Sequence, residues 1–157
     1  GATADYGPMM GAPWEAYALS VTAIRVEPGV TYLGSCAFRN LTIAKSVSLP
    51  DTLTGMGTAV FSSTGLASVS VPASITALPD HTFYYSDLTS VTLPDGLKTI
   101  GKNAFGDCYY LKRIVIPASV TEIGEEAFRA NVTLVTTKGS AADRYAQENG
   151  LKVEYLN

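Results

Sequence analysis

The chain has 157 residues, 46% of them apolar and 16% charged, with 14 acidic against 11 basic side chains and a net charge of −3. That is the composition of one folded unit with a core; it offers no basic stripe for nucleic acid, and no apolar run approaches the roughly 18 residues that suggest a membrane span. Residues 1–3 carry neither a start methionine nor a basic, apolar-cored leader, which decides little about compartment.

Residues 1–20 lack the pattern that governs the rest and hold the one tryptophan, Trp14, close to Pro13, Tyr17 and Leu19. An open repeat array would expose the apolar face of its first copy, so this segment is predicted to be a cap. From residue 24 a ruler appears. Phe38, Phe61, Phe83, Phe105 and Phe128 stand 23, 22, 22 and 23 residues apart, and Pro50, Pro72, Pro94 and Pro117 each precede a phenylalanine by 11, with Glu27 in that place in the first copy. A period of this length marks a solenoid.

Each copy opens on two alternating apolar residues: Ile24 and Val26, Val47 and Leu49, Val69 and Val71, Val91 and Leu93, Ile114 and Ile116. Period two predicts a short strand, which the proline ends by removing a backbone donor. Two further apolar columns follow, Val30, Leu53, Ile75, Leu97 and Val120, then Leu33, Met56, Leu78, Ile100 and Ile123. Gly34, Gly57, Gly101 and Gly124 come next, with Pro79 in the third copy, and suggest either positive φ or close backbone approach. A small residue and the phenylalanine then turn inward, and a helical or 3₁₀ turn is expected to close each coil. No copy can bury its own apolar face, so the copies must stack, with the phenylalanines as a continuous spine.

After Phe128 the pattern decays. Ser140 with Asp143 three residues on predicts a helix start, Gly150 after Asn149 a stop, and Leu151, Val153 and Tyr155 a last strand. The expected division is an N-terminal cap over 1–23, five repeats of 22–23 residues over 24–139, and a C-terminal cap over 140–157. Cys36 and Cys108 lie three copies apart, about 14 Å at a strand spacing of about 4.8 Å, too far for a disulfide; both are expected to be small buried residues.

These columns resemble the BspA-like, Treponema-type bacterial leucine-rich repeats. The fourth copy matches most fully, through Leu88, Val91, Leu93, Pro94, Leu97, Ile100, Gly101, Ala104, Phe105 and Cys108. Leu41, Thr64, Ser86 and Asn131 stand where the family pattern has cysteine, and Glu27 and Pro79 are further departures. The resemblance implies an α/β-type leucine-rich-repeat solenoid, with short parallel strands stacked in a right-handed curved coil. It also implies a secreted or cell-surface protein that binds proteins or mediates adhesion, with no shared catalytic residues.

Catalytic chemistry finds little footing. His81 is the single histidine and reads as structural, in a turn where Asp80 bonds locally; Cys36, His81 and Cys108 fall in different copies without the paired spacing of zinc ligands. Gly55-Met56-Gly57 lies inside a repeat and is not a nucleotide loop, and the adjacent Glu125 and Glu126 read as a solvated face. The triplets at Asn40 and Asn131 match the glycosylation sequon but carry little weight. No cofactor and no metal is expected.

The remaining candidate is a surface. Ser46, Ser48, Ser68, Ser70, Ser90 and Thr92 are expected to form a small-polar stripe on the exposed strand face, flanked by Arg25 and Arg113; Tyr84, Tyr85, Tyr109 and Tyr110 follow the phenylalanines of successive copies. Five strands offer about 200 Å² against about 800 Å² for one side of a standard protein interface, so a partner must also touch the turns. The expectation is a monomeric, non-enzymatic binding module contacting a protein or a glycan. The alternative is a structural spacer whose polar stripe only keeps the sheet soluble.

Overall fold

The computed structural model describes residues 1–7 and 11–156. Its first side is a ladder of short parallel strands: β1 (Ala23–Arg25), β3 (Ser46–Ser48), β5 (Ser68–Ser70), β7 (Ser90–Thr92), β9 (Arg113–Val115), β11 (Thr133–Thr136) and β12 (Lys152–Tyr155). Its second side is a ladder of two-residue strands, β2 (Tyr32–Leu33), β4 (Gly55–Met56), β6 (Ala77–Leu78), β8 (Thr99–Ile100) and β10 (Glu122–Ile123). Every described pairing is parallel, and the register joins the sequence columns to one another: Ile24 to Val47, Val69 to Val91, Ile114 to Leu134 and Leu134 to Val153. Hydrogen bonds break the first ladder into β1–β3, β5–β7 and β9–β11–β12, with β3 lying against β5 and β7 against β9. The fold is thus a parallel-strand solenoid with little helix.

The third side carries the phenylalanines, and it is not helical. Phe38, Phe61, Phe83 and Phe105 each donate a backbone N–H to the next coil, to Val60, Thr82, Ala104 and Ala127, at 2.8–2.9 Å. The residues two before and two after each ring make this geometry. Cys36 and Asn40, Ala59 and Ser63, His81 and Tyr85, Asn103 and Asp107, and Glu126 all have φ between 51° and 64°. Side chains other than glycine are disfavoured there by roughly 1–2 kcal/mol each. Flipping alternate peptides in this way turns the N–H groups along the stack, so neighbouring coils satisfy them. A helical turn would have pointed those donors back into its own coil; the main 3₁₀ element described, Pro13–Tyr17, lies in the N-terminal segment instead.

The glycine column serves close approach. Gly57, Gly101 and Gly124 have no positive φ, but a Cβ on any of them would come within 2.5 Å of a backbone nitrogen in the preceding coil, of Ser35, Asp80 and Lys102 respectively. Pro79 fits one coil earlier, where Thr82 Oγ1 donates to its carbonyl.

The phenylalanines stack as a spine. Ring centroids are 5.6, 5.5, 5.4 and 5.3 Å apart from Phe38 to Phe128, with planes within 16° of parallel. Phe61, Phe83 and Phe105 are wholly buried, whereas Phe38 keeps some exposure. Trp14 extends the column at the N-terminal end, stacked 5.5 Å from Phe38 with its Nε1–H on the Ala37 carbonyl, and Tyr145 meets Phe128 edge-on at the other end. The position of the family's cysteine proves to be a place for a donor: Ser86 Oγ and Cys108 Sγ each donate to the phenylalanine carbonyl one coil back, of Phe61 and Phe83, and Thr64 Oγ1 reaches the Phe61 carbonyl as well. Cys108 is buried and its thiol is pushed up to about 12 by that burial, but Cys36 is only partly covered, contrary to expectation, because it occupies one of the left-handed turn positions at the surface. Both thiols are free.

At the C-terminal end the array closes on α1 (Ala141–Glu148), with Asp143 N–H donating to Ser140 Oγ at 3.1 Å and Gly150 at φ 67° past its end. The buried Asp143 carboxylate also accepts the Gly139 N–H, Gln147 Nε2 and Tyr155 hydroxyl, which tie helix to β12. These bonds, the Gly139 N–H foremost, hold its carboxyl below the usual carboxylate range. Strand β11 was missed by the sequence reading because its coil is short: Leu134 follows Ile114 by 20 residues, off the ruler of 22–23.

Candidate functional site

Strand alternation puts Ser46 and Ser48, Ser68 and Ser70, and Ser90 and Thr92 outward, and all six are exposed. The stripe of small side chains follows from register: Ser46 aligns with Ala23, Ser68 with Ser90, Ser70 with Thr92. At the β9 end it gives way to Arg113 and a partly exposed Val115. The flanking arginines are not free. Arg25 Nε lies 2.9 Å from Glu27, and Arg113 Nε 2.9 Å from Glu154, an acid on β12 whose approach depends on the unforeseen β11 between them. With β11 and β12 the ladder lengthens to about 29 Å by about 10 Å, roughly 300 Å², still well short of a standard footprint of about 800 Å².

The tyrosines form a second feature on the turn side. Tyr84 and Tyr85 have centroids 6.4 Å apart, and Tyr85 meets Tyr109 edge-on at 5.8 Å. Tyr85, Tyr109 and Tyr110 are 56%, 47% and 59% exposed; Tyr110 makes no ring contact with the other three among the described residues. Tyr84 differs. It is half-buried, its hydroxyl donates to Asp107 Oδ2 at 2.9 Å, and this bond to a carboxylate raises its pKa.

Two residues outside the sequence-level candidates complete the patch. Arg129 places its guanidinium 4.0 Å over the Tyr109 ring and donates from Nη1 to Asp107 Oδ1 at 2.7 Å, while its buried Nε has no protein acceptor. Their signal was present in the repeat: Tyr84, Gly106 and Arg129 all follow a phenylalanine directly, and Tyr85 and Asp107 stand two after one. Gly106 lets the Tyr84 ring lie over it, since a Cβ there would sit 3.1 Å from the ring edge. The gap in that column opens a surface cavity of about 410 Å³ lined by His81, Tyr84, Asn103, Asp107, Glu126 and Arg129.

His81 packs edge-on against Tyr84, and Asp80 accepts the Lys102 N–H at 2.8 Å. Glu125 pairs with Lys102 at 2.8 Å, which raises the lysine's pKa and lowers that of the acid, and Glu126 accepts from Asn103 Nδ2. Among the described residues no group of three or more His, Cys, Asp or Glu is placed to hold a metal, and no helix is long and apolar enough to cross a membrane.

No curated protein matches the chain. Among solved structures it is similar to a leucine-rich repeat protein from Eubacterium ventriosum, at 17% identity over 87% of this chain and 59% of that one with a TM-score of 0.48. It is also similar to the T. pallidum leucine-rich repeat protein, at 24% identity over 85% and 51% with a TM-score of 0.46. A third is a leucine-rich cell surface protein from Faecalibacterium prausnitzii, at 15% identity over 86% and 60% with a TM-score of 0.37. The chain spans half to three fifths of the length of these proteins. A family profile, the BspA type leucine rich repeat region, matches residues 16–135 in six copies. The strand columns, the phenylalanine spine and that profile agree, and the chain belongs to the BspA-type leucine-rich repeat family.

Proposed function

We propose that the chain is a non-enzymatic binding module of a secreted or cell-surface bacterial protein, making protein–protein contacts or mediating adhesion. In this reading residues 1–23 and 140–157 cap five repeats over 24–139, and the module works as a monomer. The observation that carries the proposal is the exposure of Tyr85, Tyr109 and Tyr110 beside the Arg129–Asp107 pair. Tyrosine and arginine dominate the energetics of protein interfaces because they combine apolar area with directed hydrogen bonds. The serine and threonine stripe supplies additional hydroxyls but too little area alone, so a partner is expected to span both the strand face and the tyrosine turns.

The test is binding of fluorescently labelled chain to host epithelial cells and to bacterial cells, compared with the Tyr85→Ser/Tyr109→Ser/Tyr110→Ser variant. Tyr84 is left intact because its hydroxyl bond to Asp107 is part of the fold. Saturable binding lost in a variant with unchanged thermal stability supports the proposal. Absence of binding by the unaltered chain, or equal binding by both, refutes it and favours the spacer reading.

A further inference from the structure

The cavity over Gly106 adjoins the tyrosine patch but has a different chemistry. Its volume of about 410 Å³ falls within the about 300–1,000 Å³ of small-molecule sites, yet polar side chains dominate its lining. One wall is a column. His81, Asn103 and Glu126 each stand two residues before a phenylalanine on successive coils, about 4.8 Å apart. All three share a left-handed φ of 51–57°, and the His81 and Asn103 N–H groups are held by the carbonyls of Lys102 and Glu125 at 2.8 and 3.0 Å. The wall is therefore set by the backbone before any ligand arrives.

Across the gap stand Tyr84 and Arg129, joined through the Asp107 carboxylate between them. The Tyr84 hydroxyl is spent on that bond, which leaves its ring as the aromatic part of the lining. The floor is Gly106, and Asn103 Oδ1 already lies 2.6 Å from where a Cβ would be.

Much hydrogen-bonding capacity around the cavity is unspent. Among the described residues, both His81 ring nitrogens, Asn103 Oδ1, Glu126 Oε1 and Arg129 Nη2 have no protein partner, and the Asn103–Glu126 contact is long at 3.4 Å. The set mixes donors with acceptors. Two carboxylates disfavour an anion, and the Arg129 guanidinium disfavours a cation. What fits is an uncharged molecule with hydroxyls round its rim and an apolar C–H face for the aromatic ring.

We propose that this cavity binds the terminal neutral pyranose of a glycan. Glu126 and Asn103 accept from its hydroxyls, Arg129 and His81 hydrogen-bond other ring oxygens, and its C–H face lies toward Tyr84. The site shares only the Arg129–Asp107 pair with the proposed protein-contact patch, and the two are read by separate assays.

The test is a titration of the ¹⁵N-labelled chain, followed by amide chemical shifts, with the methyl glycosides of glucose, galactose, mannose and N-acetylglucosamine. At least one should bind saturably with a Kd of about 0.3–3 mM, the range set by so few atoms. The shifts should centre on Asn103, Gly106 and Glu126. A disaccharide ending in the tightest of these sugars should bind at least as well, and the methyl glycoside of glucuronic acid several-fold more weakly than that of glucose. Glu126→Gln, and Asn103→Gly, whose glycine suits φ 52°, should each weaken binding about 10-fold with the melting temperature unchanged. Gly106→Ala, which fills the floor, should abolish it. No saturable shift up to about 50 mM, shifts centred away from the cavity, or full binding by the Glu126 and Asn103 variants overturns the proposal. So does a disaccharide that fails to bind, equal affinity for the glucose and glucuronic acid glycosides, or tighter binding of N-acetyl-lysine amide, which would assign the cavity to a basic side chain of a protein partner.

Discussion

The phenylalanine spine makes its strongest prediction at its centre. Phe83 has no exposed surface and sits between Phe61 and Phe105 at 5.5 and 5.4 Å, in nearly parallel, offset stacks. In Phe83→Ala the loss of buried apolar area costs about 2–3 kcal/mol. Two lost ring pairs add about 0.5–1.5 kcal/mol each. Together these give about 3–6 kcal/mol, which brackets the range of about 3–5 for buried phenylalanine truncations and is a large part of the about 5–15 kcal/mol by which domains are stable. Because coils contact only their neighbours, the cavity also weakens both flanking interfaces, and the single unfolding transition should split or broaden. Equilibrium urea unfolding followed by far-UV circular dichroism measures this. Phe38→Ala, partly exposed, should cost less, and Tyr85→Ala, at 56% exposure, should fall within about 0.5 kcal/mol of the unaltered chain. A Phe83→Ala cost below about 2 kcal/mol, or one no larger than that of Phe38→Ala, would refute the continuous spine as the main source of stability.

Three further outcomes are expected. Ellman's reagent should modify Cys36 in the folded chain and reach Cys108 only on unfolding, because burial holds the Cys108 thiol protonated with a pKa of about 12; two fast-reacting thiols would contradict this. Asp143 has a lowered folded-state pKa, so its contribution is fully present above the unfolded carboxylate value and lost as pH falls through the folded one. The melting temperature of the unaltered chain should therefore exceed that of Asp143→Asn at neutral pH and converge on it at strongly acid pH; a constant gap would argue against the linkage. Gly101→Ala should cost about 1–3 kcal/mol, since its Cβ would meet Asp80 N at 2.5 Å, whereas Gly96→Ala, whose nearest new contact is 3.8 Å away, should cost far less. Equal effects in thermal melts would remove the close-approach account of the glycine column.

The strand ladder and spine were legible because they are repeated. Five copies of one apolar pattern average out local ambiguity, and Ile24, Val47 and their equivalents fall into register as the ruler predicts. What was hidden lacks a side-chain signature. The left-handed positions are occupied by Cys36, Ala59, His81, Glu126 and others, with no glycine to announce them, since the demand comes from hydrogen bonding to the next coil. β11 breaks the period, and its insertion brings Glu154 against Arg113, so a cation expected to be available on the stripe is already paired. The tyrosines were visible as residues, but their joining to Asp107 and Arg129 depends on the gap at Gly106, and a gap is conspicuous only once the neighbouring columns are stacked.

The three ladders run their hydrogen bonds along the axis on which the coils are stacked, and that direction has a mechanical meaning. Tension applied between the first and last coils loads those bonds in line and opens them like a zip, each coil releasing about 70–80 Å of chain as it opens. Coils loaded in this way carry the same tension, so the one held least firmly to its neighbour yields first; Trp14 on Ala37 and Tyr155 on Asp143 add to the hold on the outermost described coils.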